Sequence, residues 1–238
     1  LATAHNLIGT VLLAPEGING GLAGSQDDVD QFVTAVRQLE GFDTIEFKYS
    51  TGKTRPFAKL RVKLKDWIVR FADTNDPSID EILGGKRISP EDFNAILKQD
   101  DHDYIIVDTR NYYETDYGLF KGAKRLKIDN FRQFPQAFEE QFGDQKDKKY
   151  VIYCTGGIRC EKAAPYLEKQ GFQNVFQVDG GMTGYFDRHG GEGFEGQCFV
   201  FDRRWVIKPD LTEGDDGADF NLKIQPKRRD WPQSSQQG

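Results

Sequence analysis

The stretch Tyr150-Val-Ile-Tyr-Cys-Thr-Gly-Gly-Ile-Arg-Cys-Glu-Lys162 decides the fold. Its first four residues are an apolar run of strand length, rich in β-branched and aromatic side chains, as a parallel sheet buries on both faces. The run stops at Cys154, two glycines follow, and the residues from Cys160 to Gly171 read as a helix closed by glycine. The same rhythm recurs outward from there. Tyr104-Ile-Ile-Val-Asp108 is a second buried run, and Val175-Phe-Gln-Val178 is a third, ending at Asp179-Gly-Gly181. Ser89-Pro-Glu-Asp92 caps a helix that carries Phe93, Ile96 and Leu97. Strand and helix in turn predict an α/β unit with a parallel sheet and helices on both faces.

The residues before this unit follow a different pattern. Gly9–Ala14 is a short β-branched strand, Pro15-Glu-Gly-Ile-Asn-Gly20 supplies turn residues, and Gly21–Gly24 returns as a partner, which predicts a hairpin. Ser25 with Asp27 and Asp28 starts a helix whose Val29, Phe32, Val33, Val36 and Leu39 share a face, with Gly41 as its end. Residues 44–70 read as strands. Within them Ala58, Leu60, Val62 and Leu64 alternate with Lys59, Arg61, Lys63 and Lys65, the pattern of a half-buried antiparallel strand. The expected division is an α+β domain over 1–75, an α/β domain over 82–195 and a partly irregular extension over 196–238, whose end is polar and carries Pro226 and Pro232. The chain opens at Leu1 in what reads as the end of a helix.

Composition narrows the function classes. With 238 residues, 37% hydrophobic and 13% aromatic, the chain has enough apolar material for two packed cores, which argues against wholesale disorder. No apolar run approaches the roughly 20 residues of a membrane-spanning helix, so no membrane partner is expected. Three cysteines are too few for a disulfide scaffold, which favours a reducing, cytoplasmic setting.

Cys154 stands where ligands gather in open α/β sheets, at the carboxyl end of a strand. Thr155, Gly156, Gly157, Ile158 and Arg159 follow it into a helix. The glycines let successive N–H groups curl inward as an anion-binding nest. The helix start adds partial positive charge and Arg159 a full one. Comparable settings bring a cysteine pKa down to roughly 3.5–7.5, so Cys154 is the candidate nucleophile. Cys160 reads either as a resolving thiol or as a small packed residue, and Cys198 as structural. Asp108 and Arg110 either add charge beside the loop or pin neighbouring loops by charge-assisted hydrogen bonds. The histidines His5, His102 and His189 are scattered, and no metal site is readable from them. No glycine fingerprint for flavin or nicotinamide is present, so no cofactor is readable.

Four residues separate Cys154 from Arg159, one fewer than in the loop of cysteine phosphatases. A loop of that length suits sulfur carried on the cysteine, and the pattern resembles the rhodanese family. Asp108-Thr-Arg110, Glu114 and Gly118-Leu-Phe-Lys-Gly-Ala123 are similar to that family's first signature, with Leu119 in place of the usual histidine, and Asp179-Gly-Gly181 to its closing one. The longer string Tyr153-Cys-Thr-Gly-Gly-Ile-Arg-Cys-Glu-Lys162 is more specific. With Pro15-Glu-Gly-Ile-Asn19 and Cys198-Phe-Val-Phe-Asp-Arg203, it resembles the bacterial-type tRNA uridine hydroxylase family over roughly residues 7–205. The resemblance implies a ferredoxin-like (acylphosphatase-like) N-terminal domain followed by a rhodanese domain. It also implies oxygen-dependent 5-hydroxylation of the wobble uridine, tRNA as partner, molecular oxygen as co-substrate and Cys154 as a persulfide-forming residue. Measured against that family, the chain starts after the first strand and most of the first helix. Many members carry a cysteine-rich C-terminal segment; here the tail after Arg204 has no cysteine.

The overall charge of −6 is no RNA-binding signature, but residues 44–70 hold eight basic residues against Glu46 and Asp66, a local +6. Lys59, Arg61, Lys63 and Lys65 form a stripe that could track a phosphate backbone, or an ordinary solvated strand face. Trp67 and Tyr49 are candidates for stacking on a base or for the core. Two other functions fit the same residues: a sulfurtransferase carrying sulfane sulfur on Cys154, and a non-enzymatic RNA-binding or regulatory rhodanese module. No obligate protein partner is readable.

Overall fold

The computed structural model describes residues 1–71 and 77–215. After a run of turns over residues 1–7, β1 (Ile8–Ala14) and β2 (Gly17–Ala23) form an antiparallel hairpin in which Ala14 faces Gly17, so the loop is Pro15-Glu16 alone. The other glycines expected in the turn lie inside β2. Helix α1 (Gln26–Arg37) starts at Ser25, whose hydroxyl accepts the Asp28 N–H, and buries Val33 and Val36. It ends at Arg37 rather than at Gly41, leaving Leu39 exposed.

Strand β3 (Leu60–Leu64) corrects two expectations. It pairs with β1 in parallel, not antiparallel, and it is the edge of a three-stranded sheet ordered β2-β1-β3. Its apolar face is open, with Val62 and Leu64 exposed. Alternation reports that a strand has two chemically different faces; it does not report which neighbour it pairs with or what covers it. Residues 45–59, also expected as strands, have no regular secondary structure.

The second unit is the parallel sheet that the apolar runs predicted. Its elements are α2 (Ile79–Gly84), β4 (Arg87–Ile88), α3 (Pro90–Leu97), β5 (Tyr104–Asp108), α4 (Tyr112–Thr115), β6 (Gly118–Phe120), β7 (Lys124–Arg125), α5 (Phe134–Phe142), β8 (Lys149–Tyr153), α6 (Cys160–Lys169), β9 (Asn174–Val178) and α7 (Gly181–His189). Five strands run parallel in the order β4-β9-β8-β5-β7, which puts β8 in the middle. Its side chains alternate between two cores. Tyr150, Ile152 and Cys154 meet α5 and α6, while Val151 and Tyr153 meet α3 and α7. Phe71 crosses from the end of the first unit into the first of these cores, where it is fully buried against Phe131, Phe134 and Tyr166.

Three helices, α2, α4 and α5, went unread in the sequence. Helix α2 is held by a reciprocal Ser78–Glu81 cap, and its Glu81 pairs with Lys169 of α6. Helix α5 places Phe134, Phe138 and Phe142 four residues apart on one buried stripe. Beyond α7, β10 (Phe194–Gly196) pairs with β6, and β11 (Cys198–Phe199) with β12 (Val206–Ile207). The Asp73–Pro77 break and the polar tail lie largely outside the described residues, which stop at 71, resume at 77 and end at 215.

Asp108 and Arg110 sit in this framework with no exposed surface. The Arg110 Nε donates to both Asp108 oxygens at 3.0 Å, its Nη2 donates to Oδ2 at 2.7 Å, and Nη2 also reaches the Gly118 carbonyl at 2.6 Å. The pair therefore ties the end of β5 to β6. Arg110→Met would strand a buried carboxylate, at a cost of about 3–5 kcal/mol. The expected readout is a lower urea midpoint, with part of the loss recovered when Asp108→Asn is added.

Candidate active site

The site forms because β8 stops where α6 has not yet begun. Cys154 ends the central strand with its sulfur fully buried. The chain then turns through Thr155, Gly156, Gly157 and Ile158, and Gly157 at φ +94 sends its N–H back to the Cys154 Sγ at 3.2 Å. The first turn of α7 holds this loop from below: Met182 N–H donates to the Cys154 carbonyl (2.9 Å) and Thr183 N–H to that of Thr155 (3.0 Å). Gly181 must be glycine. Its φ is +61, and a Cβ there would stand 2.6 Å from both the Cys154 carbonyl oxygen and the Gly157 nitrogen. The Asp179-Gly-Gly181 signature is thus a condition for the loop to close. Gly156, by contrast, faces open space.

The electrostatics favour a thiolate. Burial opposes charge on Cys154, and it is the largest single influence. The Cys160 thiol, the Arg159 guanidinium and the backbone N–H groups of Arg159 and Cys160 together outweigh it, bringing Cys154 down to about 5. Cys160 is fully buried beside Thr109 (Oγ1 to Sγ, 3.5 Å), and burial together with the neighbouring Cys154 pushes its thiol well above the ordinary range. Cys160 is therefore a protonated donor toward Cys154. Cys198, also buried, is pushed up to about 12 by burial, against the pull of Arg110.

Two site residues escaped sequence reasoning. Arg159 does not reach out to a ligand. It forms a fork with Glu114 of α4, Nη1 to Oε1 at 2.6 Å and Nη2 to Oε2 at 2.9 Å, both side chains being buried. Glu114 also accepts the Asn111 N–H at 3.0 Å. Its place in the first signature string was visible, but its partner was not. The second residue is Lys48, which arrives from the irregular segment of the first unit. Its Nζ donates to the Gly180 carbonyl at 2.7 Å and the Gly156 carbonyl at 3.3 Å. Burial lowers the Lys48 pKa, while the charge of Cys154 works to hold it up. In the sequence Lys48 was one cation among eight.

The remaining candidates lie elsewhere. Ile158 lines a small gap with Glu16, Ile68 and Lys162. Arg61 and Lys63 lie in β3 with Lys59 and Lys65 at its ends, along the outer edge of the N-terminal sheet. Trp67 is part-exposed beneath the Lys162 ammonium (4.6 Å to the ring centre), and Tyr49 is exposed.

A buried cysteine opening a six-residue loop at the end of a central parallel strand, joined to a small α+β unit, defines a rhodanese-type protein with an N-terminal appendage. Family models agree: residues 1–68 match the UPF0176 acylphosphatase like domain and residues 89–188 the rhodanese-like domain. Three curated relatives carry the name tRNA uridine(34) hydroxylase. That from Bordetella petrii is 44% identical over 89% of this chain and 84% of its own length. The Bordetella avium protein is 43% identical, covering 88% of each chain. The Xanthomonas axonopodis pv. citri protein is 42% identical over 89% of this chain and 86% of its own. The chain belongs to the tRNA uridine(34) hydroxylase family, with the acylphosphatase-like and rhodanese units that the sequence strings implied.

The thiolate can be tested directly. The ultraviolet thiolate absorbance of wild type minus that of Cys154→Ser should titrate with a midpoint near 5. Lys48→Met should move the midpoint upward, because a cation beside the sulfur is lost. A midpoint at the free-thiol value of about 8.5 would contradict the loop argument.

Proposed function

We propose that this protein hydroxylates the uridine at position 34 of tRNA, with molecular oxygen as co-substrate and Cys154 as the reactive group. The observation that carries the proposal is the buried, thiolate-stabilising Cys154 loop in a chain that matches enzymes of that name over nearly its whole length. In this proposal residues 82–195 supply the thiol, residues 1–75 hold RNA, and 196–238 form an extension. Thr155, Gly156, Gly157 and Ile158 shape the nest. Arg159 stabilises charge on the sulfur while Glu114 fixes its direction, and Asp108 and Arg110 support the loops around them. Gly156 marks the open side of the loop. No helix among the described residues is long and apolar enough to cross a membrane.

Deletion of the gene followed by complementation gives the decisive experiment. Mass spectrometry of tRNA nucleosides should find 5-hydroxyuridine restored by the wild-type chain and absent with Cys154→Ser. Equal restoration by both would remove Cys154 from the reaction. The sulfurtransferase alternative rests on the same thiolate, and it calls instead for thiosulfate-to-cyanide turnover with tRNA nucleosides unchanged.

Lys59, Arg61, Lys63 and Lys65 are proposed to follow the phosphate backbone. Lys59, Lys63 and Lys65 are exposed and Arg61 half-buried, and no partner strand lies beyond them among the described residues. Reversing Lys59, Arg61 and Lys63 to Glu should weaken tRNA binding and flatten its dependence on salt. An unchanged salt slope would take this strand out of the interface.

A further inference from the structure

The string Cys198-Phe-Val-Phe-Asp-Arg203 has no part in the chemistry described so far, yet its fold is unusually well braced. It forms β11 and the turn into β12. Val200 N–H donates to the Trp205 carbonyl (2.8 Å) and Trp205 N–H to that of Asp202 (3.1 Å). Asp202 is buried and held by Arg204 through Nε (3.0 Å) and Nη2 (2.6 Å). Trp205 takes a φ of +65, a left-handed backbone that bulky residues rarely adopt. The turn is also fastened to the first unit, by Arg203 N–H to the Pro56 carbonyl (3.1 Å) and Arg204 Nη1 to Ser50 Oγ (2.9 Å). Glu213 completes the clasp by accepting the Lys53 and Thr54 N–H groups at 2.6 and 2.8 Å.

At the tip of this braced turn Phe201 is 54% exposed. Its ring stands edge-on to Phe199 (5.0 Å between centres, 86°), which packs in turn on Tyr113 (5.6 Å) and Tyr117 (5.4 Å). Tyr113 precedes Glu114, the partner of Arg159. Cys198, which begins the string, is fully buried. A row of rings thus runs from Tyr113, the neighbour of Glu114, through Phe199 to the surface at Phe201. Around the outer end stand exposed cations: Arg203 on the turn itself, and Lys53 and Arg55 on the segment clasped to it.

We infer that Phe201 is a stacking platform for an unpaired nucleobase of the RNA loop presented to Cys154, with Arg203, Lys53 and Arg55 receiving the adjoining phosphates. Single-stranded RNA is recognised by aromatic faces beside cationic tracks. An exposed ring on a braced turn, beside three exposed cations, meets both requirements. A protein partner for an exposed phenylalanine would not call for that concentration of positive charge in a chain of net charge −6. The inference rests on the tRNA hydroxylase proposal and adds to it the place where a base next to the target is held.

The test measures affinity of the full chain for a tRNA anticodon stem-loop and for a fully paired RNA duplex of equal length, across a salt series. Phe201→Leu keeps an apolar side chain but removes the ring. It should weaken stem-loop binding about 5- to 150-fold, the range that base–aromatic stacking supplies. It should leave the salt slope and duplex binding unchanged. Arg203→Gln should instead lower the salt slope by about one. Phe201→Trp should retain affinity, with its fluorescence quenched on stem-loop addition. Matching melting curves for all variants would confirm that the turn still folds. If wild type binds the stem-loop and Phe201→Leu binds equally well, or loses duplex binding in the same proportion, the platform is refuted while the hydroxylase proposal stands. If wild type restores no 5-hydroxyuridine to a deletion strain, it is the hydroxylase proposal that falls.

Discussion

A thiolate at Cys154 places its charge at a point with no exposed surface, and a buried charge without partners is among the most unfavourable arrangements a fold can contain. The architecture around it follows from that constraint. The sulfur takes the Gly157 N–H, and the protonated Cys160 faces it. Arg159 supplies positive charge, but a buried guanidinium is itself unfavourable until paired, so Glu114 takes it in a two-bond fork. Those three charges leave one negative too many. The fourth is Lys48, whose ammonium lies on the loop carbonyls. Two anions and two cations then meet here, three of them buried and Lys48 at the exposed rim, and no single element supplies them: the end of β8, the start of α6, α4 and the first unit each contribute one.

That distribution separates what the sequence made visible from what it did not. β5, β8, α6 and the loop between the last two could be read because their signals are local: an apolar run, and for the latter a cysteine, paired glycines and a helix all within residues 149–169. Gly181 was quoted as a signature, and its reason, a Cβ 2.6 Å from the Cys154 carbonyl, exists only in three dimensions. Lys48 gave no local signal at all, since its partners lie 108 and 132 residues away. Helix α5 is a different case. Phe134, Phe138 and Phe142 at a spacing of four are a legible helical stripe, but only nine residues long and without a side-chain cap at its start.

Strand β3 shows the limit of pattern reasoning from the other side. The alternation over residues 58–65 was real and the strand exists, but the pairing inferred from it was wrong in sense. Periodicity constrains one strand at a time, whereas direction is set by the connection and by which neighbour's edge is free. A parallel partner on β1 and a solvent-facing Val62 are compatible with the same eight residues.

The contact between the two units gives the separated motifs a common origin. Lys48 of the first unit donates to carbonyls of the second from an exposed position, and Lys162 of the second is buried against the first, donating to the Val69 carbonyl at 2.7 Å and pairing with Glu16 at 2.8 Å. Glu16 belongs to the Pro15-Glu-Gly-Ile-Asn19 string, and Lys162 closes the Cys154–Lys162 string. Two stretches more than 130 residues apart are therefore the two halves of one ion pair. A buried lysine tolerates few geometries, because each of its protons needs an acceptor. An interface set by such a lysine, with Lys48 hydrogen-bonded at its rim, has a defined angle, where a purely apolar one could slide. The unit proposed to grip RNA would then meet the unit that holds the thiol in one orientation, and that orientation also places the fourth charge beside the sulfur.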